Sequence, residues 1–264
     1  MNAKKPQLGV MGQLSSDIFD DLDFVVKNGF DWFEIALDWK QNYNLDSRIN
    51  KIKKISKDNN LNLIVHTAFY LPTSTMIPEI RKAVIDYSQK SIILAKKLGA
   101  DRLTIHPGYR EMPGPAINLA YESLINNLRK IVDIGNKYEV NICLENLDRM
   151  FNLLCWDVKD YLNVLKSVRG IKATLDIGHA HTAGLTPDKY LMKVKDYVMD
   201  MHIHDNSGEH DEHKGIGQGN INFEKFLYTC KRIGYYGPFT FELFPYENIL
   251  DSKQKFLELW EKAR

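Results

Sequence analysis

PEIRKAVIDYSQKSIILAKKLGADRLTIH, residues 78–106, decides the fold. Its first part places Ile80, Val84, Tyr87, Ile92, Ala95 and Leu98 at helical spacing, the stripe of a helix that rests one face on a core. Pro78 suits the first turn, where its missing N–H costs nothing. Gly99 suits the left-handed position that ends a helix. A short β-type run follows, Arg102–His106, and closes on a histidine. The unit is a helix, a glycine stop, a strand, and a polar side chain at the strand's end.

That unit recurs along the chain. Strands are expected at Leu8–Met11, Trp32–Ala36, Leu61–His66, Arg102–His106, Val140–Glu145, Ala173–Asp176, Val198–His204 and Phe239–Leu243. Gly29, Gly99, Gly135 and Gly234 each fall at or near a helix end ahead of a strand. Strict β-then-α alternation predicts a parallel sheet, and eight units predict closure into a (β/α)8 TIM barrel. The 264 residues suit one such barrel as a single domain, 1–264, since these folds commonly run to roughly 250 residues. An open doubly wound sheet would want a glycine fingerprint after its first strand, and GVMGQLSSD (9–17) is a poor match to G-x-G-x-x-G.

Composition narrows the function. Lys+Arg 35 against Asp+Glu 34 leaves a formal charge of +1, whereas proteins that live on nucleic acid usually carry a basic excess to neutralise phosphate. No run of about 18 apolar residues occurs, so no membrane span is expected. The opening MNAKKPQLGVMGQLSSD has basic residues without a sustained apolar run, unlike a signal peptide. Cys143, Cys155 and Cys230 show no C-x-x-C spacing and read as reduced thiols, which makes the cytoplasm the expected location.

All 8 histidines fall in four regions: His66; His106; His179 with His181; and His202, His204, His210 with His213. Each region is the end of an expected strand or the loop after it. In a (β/α)8 barrel those positions share the C-terminal rim, where active sites are built. Glu145, Asp176 and Glu242 end strands 5, 6 and 8, and Asp211 lies in the loop after strand 7. A structural role is a fair alternative for any one of these residues, but scattered structural histidines would not sort in this way. A charge at the inner end of an apolar strand is costly unless paired or bound to a cation. Several such carboxylates would repel, and a divalent metal is the simplest relief. Mixed His and carboxylate donors suit Zn²⁺, Mn²⁺, Fe²⁺ or Co²⁺ better than Ca²⁺.

His181, His204 and His210 are the weaker ligand candidates, with supporting or substrate-facing roles equally open. GIGQGN (215–220), with Gly217 at its centre, is either a backbone cradle for a phosphate or a tight turn that presents Asp211 and His213. Glu34 ends strand 2 as a substrate-site candidate, Trp39 offers a wall for a sugar ring, and Cys143 reads as packing.

These motifs together, VHTAFYLP, TIHPG, LEN, LDIGHAHTAG, MHIHD, DEHKGIGQGNI and FEL, resemble the xylose isomerase-like barrel superfamily over essentially the whole chain. That superfamily holds sugar isomerases and epimerases together with endonuclease IV, the abasic-site repair enzyme. The resemblance to endonuclease IV implies nine ligands for three zinc ions at His66, His106, Glu145, Asp176, His179, His202, Asp211, His213 and Glu242. The resemblance to ketose epimerases implies one metal, Mn²⁺ or Zn²⁺ among the choices, at Glu145, Asp176, His202 and Glu242. It also implies catalytic proton transfer by Glu145 and Glu242, with His179 contacting substrate. Those epimerases tend to carry Arg where this chain has His213.

The stretch GFDWFEI (29–35) is close to a pattern common in the sugar enzymes. NLDRMFN (146–152) replaces the glycine-rich loop of the endonuclease, and Tyr70 is displaced by one from its histidine-to-tyrosine spacing. The expectation is therefore a metal-dependent sugar or sugar-phosphate isomerase or epimerase with one to three divalent ions. The alternative is zinc-dependent phosphodiester hydrolysis at abasic DNA, the one reading in which nucleic acid is a partner.

Overall fold

A computed structural model describes residues 4–12, 17–38, 42–110, 117–150, 152–243 and 248–263. The strands β1 (Leu8–Met11), β2 (Trp32–Ala36), β3 (Asn62–His66), β4 (Arg102–Ile105), β5 (Asn141–Glu145), β6 (Lys172–Asp176), β7 (Val198–Ile203) and β8 (Phe239–Phe241) pair in parallel in chain order. β1 pairs with both β2 and β8, which closes the barrel. The expected strands agree with these to within one or two residues at either end. The largest difference is β8, where the ladder stops at Phe241 and leaves Glu242 just beyond it.

Helices α1 (Ile18–Lys27), α2 (Ile49–Asp58), α3 (Pro78–Leu98), α4 (Ile117–Tyr138), α5 (Val158–Ser167), α8 (Phe223–Ile233) and α9 (Ile249–Lys262) alternate with the strands. β6 and β7 are joined by two helices, the short α6 (Ile177–Thr182) and α7 (Pro187–Val194). Local chemistry sets the ends. Asp17, Asp157 and Asn222 accept hydrogen bonds from first-turn N–H groups of α1, α5 and α8, donors that a helix cannot otherwise satisfy. Gly99 and Gly234 end α3 and α8 at φ 87° and 77°, a conformation costly for any residue with a Cβ. In α3 the buried stripe starts at Val84, and Ile80 in the first turn is exposed.

The two-residue period of the strands sorts side chains into two compartments. Leu8 and Val10, Phe33 and Ile35, Leu63 and Val65, Leu103 and Ile105, Ile142 and Leu144, Ala173 and Leu175, Met201 and Ile203, and Phe239 and Phe241 face outward and form one apolar layer under the helices. The alternate positions face into the barrel and are far more polar. Trp32, Glu34, Arg102, Thr104, Thr174, Asp200, His202 and Thr240 are all buried there. Part of the set pairs internally: Thr104 and Thr174 hydroxyls meet at 3.0 Å, and Thr240 Oγ1 donates to Asp200 Oδ1 at 3.1 Å, while Asp200 Oδ2 and Glu34 Oε1 accept no hydrogen bond. The interior is filled, as the fold requires. Its upper end, where the parallel strands terminate together, is where the polar positions become acidic and basic.

Gly135 lies inside α4 and is not a cap. A Cβ there would stand 2.6 Å from the Val140 carbonyl oxygen and 2.9 Å from Ile142, so the absent side chain lets α4 lie close against the start of β5. Gly135→Ala is expected to destabilise the fold by about 1–3 kcal/mol through overpacking, read as a lowered urea midpoint with unchanged slope.

Candidate active site

At the strand ends, the donor atoms of Glu145, Asp176, His202 and Glu242 lie within 4.8 Å of one another, an inner group. His66, His106 and Glu145 form a flanking group on the same criterion, and His179, His204, Asp211 and His213 form an outer one. A fourth group, Glu34, His66 and His202, meets the same criterion, so the nine ligand candidates from the sequence are all brought together and His204 and Glu34 join them.

Glu145 links the first two groups. Its Oε2 accepts from His106 Nε2 at 2.8 Å and His66 Nε2 at 3.1 Å, while Oε1 is 3.1 Å from His202 Nδ1. Asp176 ends β6 and also caps α6, accepting the His179 N–H at 2.7 Å. That cap orients the helix that delivers His179. Asn146 fixes Asp176 from the neighbouring strand through a backbone pair at 2.9 Å in each direction. In the outer group Asp211 Oδ2 stands 2.8 Å from His213 Nε2 and 3.1 Å from His179 Nε2.

The ring orientations carry chemical information. A carbonyl oxygen only accepts, so a ring nitrogen facing one must bear the proton. His66 Nδ1 donates to Thr67 O (2.6 Å), His179 Nδ1 to Asn146 O (2.9 Å) and His213 Nδ1 to Glu242 O (3.0 Å). Each therefore turns Nε2 toward the carboxylates, the arrangement in which metal-binding histidines are held. His213 achieves this at φ 46°, an uncommon conformation for a residue with a Cβ and one that clusters at functional sites.

Two oxygens test whether a cation fits. Glu242 Oε2 and Asp211 Oδ1 are buried and accept no hydrogen bond. Glu242 Oε2 lies 3.0 Å from His202 Nδ1, but without hydrogen-bond alignment. One uncompensated carboxylate oxygen in the inner group and one in the outer group are what a divalent cation would relieve. The residues present fit one.

Without a cation the charges compensate through protons. Burial opposes charge on His66, but Glu145 and Glu34 outweigh it and lift the ring to about 9. His213 is also lifted to about 9, burial being overcome by Glu242 and Asp211. His202 and His179 are held well above the ordinary range by the carboxylates around them, against burial. Burial would raise Glu242, yet His213 and His202 bring it down to about 2. Below the rim, burial and the Glu34 charge push Asp200 up to about 7.

Above the groups opens a cavity of about 400 Å³ lined by Met11, Ala36, Asp38, His66, Phe69, Tyr70, His106, Glu145, His179, His213 and Glu242. That volume suits a small molecule. One wall is carboxylate and imidazole. The other is apolar, with Phe69 edge-on to His106 at 4.5 Å and Tyr70 at the mouth, 75% exposed.

Two sequence expectations need correction. Glu34 lies in the middle of β2, fully buried beneath His202, and does not line the cavity, because Ala36 occupies the next inward position. Gly217 offers no phosphate cradle. The Gly217 and Gly219 N–H groups donate to Asp205 Oδ2 at 2.8 and 3.0 Å and Ile221 N–H to Oδ1 at 3.1 Å, so an internal carboxylate already fills the turn. His181 bonds Asn220 and His210 is exposed, and neither belongs to the groups. Trp39 falls outside the described residues. Cys143 is fully buried, its thiol pushed up to about 12 chiefly by burial.

The sequence reading missed Asp38, whose Oδ1 accepts the Phe69 N–H at 2.7 Å. It also missed the part of Gly178. A Cβ there would sit 1.9 Å from His204 Cε1, so the glycine admits the ring that reaches Asp176 at 3.0 and 3.1 Å.

Fold and site define a (β/α)8 barrel with a buried carboxylate–histidine centre under a small cavity. A sequence model of the xylose isomerase-like TIM barrel family matches residues 22–260, and the chain belongs to that family. An uncharacterized protein of Methanocaldococcus jannaschii is 30% identical over 257 residues, covering 94% of this chain and 86% of its own. At 24% identity the chain also matches a probable endonuclease 4 of Ureaplasma parvum (68% of this chain, 65% of that one) and a ketose 3-epimerase of Arthrobacter globiformis (69% and 63%). A crystal structure of a D-tagatose 3-epimerase-like protein superimposes with a TM-score of 0.90 at 26% identity, covering 97% of this chain and 98% of that one.

Gly178→Ala is expected to cost about 1–3 kcal/mol by forcing the His204 ring aside. In a double-mutant cycle with His204→Ala, whose smaller side chain leaves room, most of that cost should vanish. Additive losses in thermal denaturation would show that the glycine serves something other than this ring.

Proposed function

We propose that the protein is a metal-dependent sugar isomerase or epimerase that moves a proton at the carbon next to a ketose carbonyl. The observation that carries the reading is the placement of Glu145 and Glu242. Both line a small cavity that also meets the inner donor group. The similarity to the D-tagatose 3-epimerase-like structure and to the ketose 3-epimerase supports the substrate class.

Glu145, Asp176, His202 and Glu242 would hold a divalent cation, Zn²⁺ or Mn²⁺ by donor type. Bound there, it would polarise adjacent substrate oxygens and make the neighbouring C–H more acidic. The chain supplies the rest. One of the two glutamates takes the proton from carbon. The other, which must take up a proton before the step, delivers it to the opposite face for epimerisation, or to the neighbouring atom for isomerisation; the pair gains one proton and loses one, so its total is unchanged across the step. His66 and His106 hold Glu145 by its far oxygen, which limits the arc through which its reacting oxygen can swing. Phe69 and Met11 exclude water from the apolar side of the cavity.

The substrate we favour is not phosphorylated. The described lining residues include Asp38, Glu145 and Glu242 but neither Lys nor Arg, and the glycine turn is filled by Asp205. A phosphate would find no guanidinium or ammonium partner among these described residues, only imidazoles already paired with carboxylates. The second reading, hydrolysis at abasic DNA, is favoured by one observation, the outer group of His179, Asp211 and His213. It predicts nicking of an abasic duplex by the metal-loaded protein.

The expected outcome for the first reading is exchange of a substrate C–H for deuterium in D₂O with at least one free ketose, lost by at least about 100-fold in Glu145→Gln or Glu242→Gln. No exchange across a panel of ketoses, with nicking of abasic DNA, would sink it. A second expectation concerns pH. His66 and His213 carry protons at pH 7 because both are lifted to about 9, and metal binding must expel them. Occupancy of their groups should therefore release protons and tighten from pH 7 to 9. Calorimetry in buffers of different ionisation heat reads this directly, and an affinity flat with pH would contradict it.

A further inference from the structure

Four histidines of the site are held from behind, in two different ways. His66, His179 and His213 each donate Nδ1–H to a backbone carbonyl and present Nε2. His202 is reversed. Its Nδ1 faces the inner group, 3.1 Å from Glu145 Oε1 and 3.0 Å from Glu242 Oε2, and its Nε2 meets Glu34 Oε2 at 2.9 Å. Both side chains of that last pair are fully buried. Glu34 sits on β2, across the barrel from β7, and does not line the cavity; its carboxylate stands within 4.8 Å of His66 as well as His202 and outside the inner group of Glu145, Asp176, His202 and Glu242.

A carboxylate placed there does something a backbone carbonyl does not. An ionised carboxylate only accepts, so it keeps a proton on His202 Nε2, and a cation that displaces the Nδ1 proton meets that lone pair pointing into the inner group. Its charge also makes the ring a stronger donor. Neighbouring backbone cannot substitute, because His202 lies within a strand whose own carbonyls are committed to the ladders with β6 and β8.

We propose that Glu34 is a positioning residue for the metal centre: through His202 it sets the affinity of the inner group for a divalent cation. This rests on the metal-dependent reading above. Glu34 acts beneath the cation, out of reach of substrate, so its influence on turnover passes through metal occupancy alone.

The test uses the full chain and Zn²⁺ or Mn²⁺ by themselves. Competition with a chromogenic chelator gives the affinity of wild type, Glu34→Gln and Glu34→Asp. Glu34→Gln keeps volume but removes the charge, and should weaken the inner ion by about 10–100-fold, the usual effect of losing such a partner. In ¹⁵N spectra of histidine-labelled, Zn²⁺-loaded protein, His202 should keep its one proton on Nε2 in wild type, and the Nε2 shift should move in the variant. Excess metal should restore kcat in Glu34→Gln with KM unchanged. A variant that binds metal as tightly as wild type overturns the proposal, as does a raised KM that persists at saturating metal, which would mean substrate contact. Should Glu34→Gln fail to fold, Glu34→Asp, which shortens the reach by one methylene, decides by the same affinity measurement. If wild type itself binds no divalent ion, the metal-dependent reading falls, and that outcome is distinct from a wild type that binds and a variant that binds equally.

Discussion

Glu145 is a carboxylate with almost no solvent, placed at the end of β5. It keeps its charge because three imidazoles converge on it from β3, from the residue after β4, and from β7. Burial would raise its proton affinity, and His202 and His106 reverse that and hold it well below the ordinary carboxylate range. The rest of the site follows from this arrangement. Opposite charges must be delivered to one point from strands far apart in sequence, and a closed parallel barrel brings all its strand ends to one rim.

The same constraint explains the supporting structure. Each imidazole needs a fixed orientation, so backbone carbonyls pin three rings and Glu34 pins a fourth. Asp176 is held by Asn146, by its cap on α6 and by His204. His204 in turn requires a glycine at 178. The inward strand positions below are polar and partly paired with one another, while the outward ones are apolar and carry the helices. Stability and chemistry thus occupy different faces of the same strands.

The barrel was legible because its signals are local: helical stripes, glycine stops and short apolar runs at regular intervals. The donor cluster was legible because histidine and carboxylate sit at strand ends, a position that topology converts into proximity. Glu34 was misjudged for want of register. It is one inward step short of the rim, and a sequence does not say at which step a strand leaves the barrel. Gly217 was ambiguous because a glycine-dense turn suits an external phosphate and an internal carboxylate equally, and Asp205, twelve positions earlier, is what fills it. Asp38 was missed because a loop sets its direction, and His204 was underrated because its place depends on the missing Cβ of Gly178.

The central claim is that the strand-end cluster is a cation centre whose glutamates face a sugar-sized cavity. Crystals of protein loaded with Mn²⁺ or Zn²⁺ and measured at the metal's absorption edge test it most directly. An anomalous peak enclosed by Glu145, Asp176, His202 and Glu242, with the cavity open above it, is the expected result. Fully loaded protein with no peak at that position, or with metal only at surface side chains, would contradict it.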